Sequence, residues 1–196
     1  MQKLVNKVAN YCVNKELIRA EEIPWFVYGL ESRIATIIVG IPFLILAFAI
    51  STPTSAIFFF VSYFFVRRYI GGYHAKTVWG CIIFSLLAEL VFLIGLPHLL
   101  NTQISLIILC ISILIVHKLA PYNHPNIHFS SDEIVSCQKK GLNRVCIASL
   151  VALMAHIAGN SEIANGCTIG IAMAATLLCL GYINDWRNTY HEKKQN

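Results

Sequence analysis

The chain has 196 residues, of which 57% are hydrophobic and 13% charged, with a formal net charge of +5 and a mean hydropathy of +0.65. Soluble domains carry about 25% charged residues, so this composition leaves too little polar surface to coat a water-soluble fold and is far too apolar for a disordered chain. It reads as one all-α polytopic membrane domain of about six transmembrane helices, preceded by an amphipathic interfacial helix.

Residues 1–33 read as a cytoplasmic, interfacial segment. Leu4, Val5, Val8, Tyr11 and Cys12 fall on one helical face, opposite Lys3, Lys7, Asn10 and Asn14, the pattern of a helix lying in the membrane surface. Pro24-Trp25-Phe26 reads as an interface anchor ahead of the first span. No cleavable signal peptide is expected, because the first 30 or so residues lack an apolar core after a basic start.

Apolar stretches then follow at 34–50, 56–66, 78–96, 104–116, 145–158 and 167–183. Three of them approach the ~17–25 residues needed to cross a bilayer as a helix. The second must borrow residues 51–55 to span, and the fourth Thr102 and Gln103; an arrangement of four spans with two re-entrant segments is the alternative. Charge placement favours six. All 15 Lys and Arg fall in alternate segments, namely 1–33, 67–77, 117–144 and the tail from 187. The positive-inside rule then puts both termini in the cytoplasm, with 34–186 as the transmembrane domain and 187–196 as a tail. The basic excess reads as topology and attraction to anionic lipid, so the implied partner is the bilayer of a cell membrane and not nucleic acid. The seven cysteines show no framework spacing, and no disulfide scaffold is expected.

The chemistry-bearing stretch is residues 67–81, Arg-Arg-Tyr-Ile-Gly-Gly-Tyr-His-Ala-Lys-Thr-Val-Trp-Gly-Cys. Gly71 and Gly72 break the helix and admit backbone conformations that other residues resist. His74 and Cys81 are a candidate base and nucleophile. On a straight helix seven residues return to nearly the same face but rise about 10 Å, too far for the ~3 Å contact a base needs. A working dyad therefore requires His74 on a bent turn that folds back over the start of the third span. About one turn into that helix, the helix dipole and Arg67, Arg68 and Lys76 favour a Cys81 thiolate, while apolar burial opposes it.

This stretch resembles the AgrB family of membrane-embedded cysteine endopeptidases, which process precursors of bacterial cyclic quorum-sensing peptides. The resemblance rests on Arg67-Arg68, the run Gly71-Gly72-Tyr73-His74-Ala75, Cys81 seven residues after the histidine, Ala120-Pro121 soon after the fourth span, and the length and apolar profile of the whole chain. It implies His74 as base and Cys81 as nucleophile, with Arg67, Gly71 and Gly72 at positions that shape the site; Arg68, Lys76 and Pro121 are weaker candidates beside them. After the Ala-Pro pair this chain carries His124 and His128 where the family carries a lysine. The resemblance further implies cleavage of a small precursor peptide through an acyl-thioester, its cyclisation to a thiolactone or lactone, a bacterial cell membrane with the active site on the cytoplasmic side, a homodimer, and no cofactor.

Other residues carry chemistry of their own. Glu89 is the acid within a span and so a candidate functional group, but it lies about 12 Å of helix rise beyond Cys81, too deep to orient His74. Lys139 and Lys140 suit contact with an acidic precursor tail, although cytoplasmic topology alone accounts for them. His124, His128 and Cys137 do not make a zinc set, since Pro125 interrupts the histidines and no second cysteine pairs with Cys137; no metal is expected. Ser130 and Glu133 read as a capping box opening a helix. The competing function is a small transporter or exporter working without covalent chemistry, for which internal repeats or several midplane charges would be expected. A non-catalytic membrane partner of a signalling system is the weaker third reading.

Overall fold

The computed structural model describes the backbone of residues 2–15, 17–73, 78–122 and 131–195; His74 and Lys76 lie outside the described residues, as do His124, His128 and Ser130, and Cys81 is described in backbone only. The order is α1 (Gln2–Asn14), a 3-10 turn (Ala20–Glu22), α2 (Ile23–Ile50), α3 (Pro53–Ile70), α4 (Val78–Gly95), α5 (Thr102–Leu119), α6 (Ser131–Ile157) and α7 (Ser161–Gln195), with no strand among the described residues. Thr102–Leu119, Asp132–Ile157 and Ser161–Asn184 are long and apolar enough to cross a membrane, and Ile37–Ile50 and Ile82–Gly95 are shorter apolar helices. The chain is thus all-helical, as a polytopic membrane protein should be.

Each expected apolar stretch falls on its own helix to within one residue. The two short ones are completed by their caps. Thr52 accepts from the Ser55 amide and Pro53 opens α3, while Asn101 Oδ1 accepts from the Ile104 amide at 2.9 Å to open α5. Both helices reach 18 residues, about 27 Å of rise. α6 ends in a Schellman turn: Gly159 has φ +73°, the Asn160 amide donates to Ala155 O and the Gly159 amide to His156 O. Asn160 Oδ1 then accepts from the Ile163 amide and starts α7. α6 and α7 run well past their apolar stretches, because a helix satisfies its backbone in water as well as in lipid.

Two compact units divide the chain, Met1–Phe43 and Leu44–Asn196. In the first, Val5 and Ala9 of α1 are buried, whereas Val8 and Tyr11 are exposed. The apolar stripe expected as one face is therefore split. Between α1 and α2, the amide and guanidinium of Arg19 both donate to the Glu22 carboxylate, at 2.9 and 3.0 Å, and these bonds hold that carboxyl below its usual range.

In the second unit α7 is the centre, in contact with α3, α4, α5 and α6. It is buried nearly all round from Ala164 to Leu178. The outer helices bury serines among their inward apolar residues and expose aliphatic ones. On α5, Ser105 and Ser112 are buried, while Ile107, Ile111 and Leu114 are exposed; Ser62 of α3 and Ser149 of α6 are likewise buried, with Val61 and Leu150 facing out. That pattern suits lipid, where aliphatic side chains face outward without cost and small residues let backbones approach.

The closest approach is between α3 and α7. A Cβ at Gly166 would lie 2.5 Å from Ser55 O, and one at Gly170 would lie 2.6 Å from Phe59 O and overlap the Ser62 hydroxyl. Ser62 Oγ donates within α3 to Phe58 O at 2.7 Å and reaches Cys167 O at 3.4 Å. The contacts advance together along both helices, so α3 and α7 run parallel. Gly170→Val should lower the midpoint of thermal unfolding in detergent, by a destabilisation of roughly 1–3 kcal/mol. Gly95→Ala, where an added Cβ meets nothing within 4 Å, should leave the midpoint unchanged or slightly raised. Equal effects of the two would contradict this packing.

Candidate active site

The site is built where α3 ends. Its last turn carries Arg67 and Arg68, favourably placed at the negative end of the helix dipole. The Gly71 amide closes the helix on Arg67 O. Gly71 and Gly72 then take φ +68° and +131°, values that disfavour any side chain. This sharp turn lets the Arg67 guanidinium reach forward over its own C-terminus. It donates to Gly71 O, and at 2.8 Å to Tyr73 O. A Cβ at Gly72 would overlap that guanidinium and lie 2.8 Å from Leu177 O, so the second glycine is needed for room as well as for conformation.

Two other segments fasten the turn. The Tyr73 amide donates to Leu177 O of α7 at 2.9 Å. Gly181 permits this approach, since a Cβ there would lie 3.0 Å from Tyr73 N and 3.2 Å from the Gly72 carbonyl carbon. From the end of α5, the Tyr122 amide donates to Ile70 O at 2.9 Å. Tyr182 of α7 holds that segment in turn, its hydroxyl donating to Leu119 O at 2.7 Å and its ring meeting the Tyr122 ring edge-on at 5.4 Å. The Tyr73 ring packs on Phe84 of α4, with centroids 4.7 Å apart. Residues 67–73, 119–122 and 177–182 thus form one hydrogen-bonded junction, and the chain leaves it at Tyr73 toward residue 74.

Of the residues expected from the sequence, the structure brings Arg67, Gly71, Gly72 and Pro121 to this junction; Pro121 is buried there in a cis peptide with Ala120. Backbone position 81 falls in the first turn of α4, as expected for Cys81. Arg68 and Lys140 lie elsewhere, each within 6 Å of the Tyr69 ring centroid, and Lys139 is exposed on α6. Glu89 is fully buried on α4, and neither of its carboxyl oxygens has a hydrogen-bond partner among the described residues. The same holds for Ser105 Oγ and Ser149 Oγ. Sequence reading missed Tyr73, Tyr122, Leu177, Gly181 and Tyr182. Their only trace was a glycine inside a long apolar stretch and tyrosines beside the Ala-Pro and Gly-Gly pairs.

Hydrogen exchange tests the junction directly. Arg67→Gln removes the two-carbonyl clamp, and Gly181→Val pushes α7 away from Tyr73. Both should speed amide exchange at Tyr73 by about tenfold, the loss of one to two net hydrogen bonds, with mid-α7 amides unchanged. Unaltered exchange at Tyr73 would contradict the geometry. Glu89→Gln should keep wild-type membrane abundance on immunoblot, since it retains the side chain's volume; loss of the protein would assign the carboxyl a structural partner.

The family model for accessory gene regulator B, AgrB, matches residues 2–179, most of the chain. No curated protein and no solved structure matches it. The match takes in α1 through most of α7, including the arginine-clamped turn, the Ala120-Pro121 segment and the positions of His74 and Cys81. The chain belongs to the AgrB family, membrane proteins of accessory gene regulator systems that take part in processing a small autoinducer precursor peptide.

Proposed function

We propose that the protein is a membrane-embedded cysteine endopeptidase that cuts the C-terminal part from a small quorum-sensing precursor and promotes ring closure of what remains. The observation that supports this most is the junction just N-terminal to His74. Three segments from different helices fix the backbone up to Tyr73, and α4 begins at Val78 with Cys81 in its first turn. A backbone held up to Tyr73 and a helix that begins at Val78 fix the two ends of the segment that carries His74, and fixed ends favour pairing a base with a nucleophile seven residues apart.

The chemistry is two acyl transfers. The Cys81 thiol gives its proton to His74, and the sulfur attacks the scissile carbonyl, forming an S–C bond. The C–N bond breaks, His74 passes the proton to the departing amine, and the C-terminal fragment leaves. A thiol or hydroxyl within the precursor then attacks the thioester, closing the thiolactone or lactone and returning the Cys81 thiol. Thioester exchange onto another thiol is nearly neutral in energy, whereas making the thioester from an amide is uphill, so removal of products draws the sequence forward. A site at the membrane interface limits access of water and so protects the intermediate from hydrolysis.

A six-span topology with cytoplasmic termini belongs to the same proposal. The parallel run of α3 and α7, and the meeting of the ends of α3 and α5 with residues 177–182, support it: helices two apart in an alternating chain point the same way. The site then opens on the side that carries the basic loops. A homodimer completes the proposed assembly.

In cells co-expressing the precursor, Cys81→Ala and His74→Ala should each abolish cleavage, a loss of more than 100-fold in line with removal of a nucleophile or general base, while membrane abundance stays at the wild-type level. Mature cyclic peptide from Cys81→Ala cells would sink the mechanism.

A further inference from the structure

Outside the junction, the C-terminal end of α3 and the middle of α6 gather positive charge around one ring. Arg144 of α6 stands over Tyr69 with its guanidinium carbon 4.2 Å from the ring centroid, and over Phe65 at 4.4 Å. It also donates to Phe65 O at 3.1 Å, which fixes the head group in place. Lys140 Nζ lies 5.8 Å and the Arg68 guanidinium 5.9 Å from the same Tyr69 centroid. Among the described residues the ion pair is Arg19 with Glu22, so none of these three cations is paired there with a carboxylate. Three like charges within such a distance repel one another. The ring face and the α3 dipole offset only part of that repulsion. A counter-anion with several acceptor oxygens would remove it.

What lies beside the cluster says which kind of anion. From Tyr69 and Arg68 back along α3, Phe65, Val61 and Ile57 follow at four-residue intervals, and Val61 and Ile57 are exposed. From Arg144 onward along α6, Ile147, Val151 and Met154 follow on one face, all exposed. The two rows leave the basic cluster in the same direction, since α3 approaches this end and α6 departs from it. A charged head site opening onto aliphatic rows of two helices in contact has the outline of a phospholipid.

The geometry points to a specific site for the phosphate head group of an anionic glycerophospholipid, held by Arg68, Lys140 and Arg144 around Tyr69, with its acyl chains along the outer faces of α3 and α6. The site stands apart from the proposed peptidase chemistry and does not depend on it. An acidic peptide would meet the same cations but would have no use for the two aliphatic rows.

The test is native mass spectrometry of the full-length protein purified in detergent and offered equal phosphatidylglycerol and phosphatidylcholine of identical acyl chains. The wild type should retain phosphatidylglycerol over phosphatidylcholine by roughly tenfold or more, and Arg68→Gln with Lys140→Gln should cut that ratio by about tenfold. Lys118→Gln, which removes an exposed charge on α5, should leave it unchanged. A wild-type ratio near one would overturn the proposal. So would an undiminished ratio in a double variant of unchanged helical circular dichroism, or an equal loss in Lys118→Gln. Displacement of the bound lipid by equimolar inorganic phosphate would assign the cluster to a free anion, and displacement by an equimolar acidic peptide would assign it to a peptide; either outcome overturns the lipid site. If the double variant does not fold, the wild-type ratio and the two competitions decide the matter alone.

Discussion

The close parallel packing of α3 on α7 is the constraint on which the rest depends. In lipid there is no hydrophobic gain from hiding aliphatic side chains, so helices associate by backbone approach and by small-residue contacts. Gly166 and Gly170, four apart on α7, give the backbone of α3 that approach. Once the two helices are in register there, the end of α3 arrives level with Leu177 and Gly181. Tyr73 can then donate to a helical carbonyl of α7 that its own turn could not otherwise reach. The α5 end joins through Tyr122 and Tyr182. A substitution at Gly170 therefore acts on the candidate site from about two to three helical turns away, through register and not through contact.

This arrangement divides the labour around residue 74. Everything before it is fixed by hydrogen bonds to backbone carbonyls, which are insensitive to the chemistry of a bound peptide. Arg67 is spent on its own chain: its guanidinium donates to the part-buried carbonyls of Gly71 and Tyr73 just past the end of α3, where unmet acceptors would be costly. The basic side chains left facing outward, Arg68, Lys140 and Arg144, lie on a different surface. The two adjacent arginines of the motif thus have separate tasks, set by the 100° rotation between neighbouring helical positions.

Composition and the alternation of basic segments made the helices legible, because an 18-residue apolar stretch has few folds open to it. The Gly71-Gly72 break was legible too, since a glycine pair after a basic helix end marks a turn; the grip of Arg67 on Gly71 O and Tyr73 O was not, because the family resemblance named that position without a partner. The junction was not. Leu177 contributes a backbone carbonyl, which leaves no mark on side-chain identity. Gly181 and Tyr182 lie in the sixth apolar stretch, where a glycine and a tyrosine look like ordinary membrane residues, and both fall beyond the residues that the family model matches. Gly166 and Gly170, four apart at the start of the sixth apolar stretch, were not read as a packing face, and with them the central place of α7 went unread. The stripe on α1 was read as one face because periodicity counts positions, whereas burial of Val5 and Ala9 with exposure of Val8 and Tyr11 depends on what packs there.

The account stands on a covalent bond between Cys81 and the precursor. Purified protein mixed with precursor and quenched in acid should show, by intact and peptide-level mass spectrometry, an adduct equal to the N-terminal precursor fragment less one water. It should map to Cys81, be released by neutral hydroxylamine, and be missing in Cys81→Ala. Cleavage of the precursor at the wild-type rate with no adduct on Cys81, or an adduct on another cysteine, would contradict it.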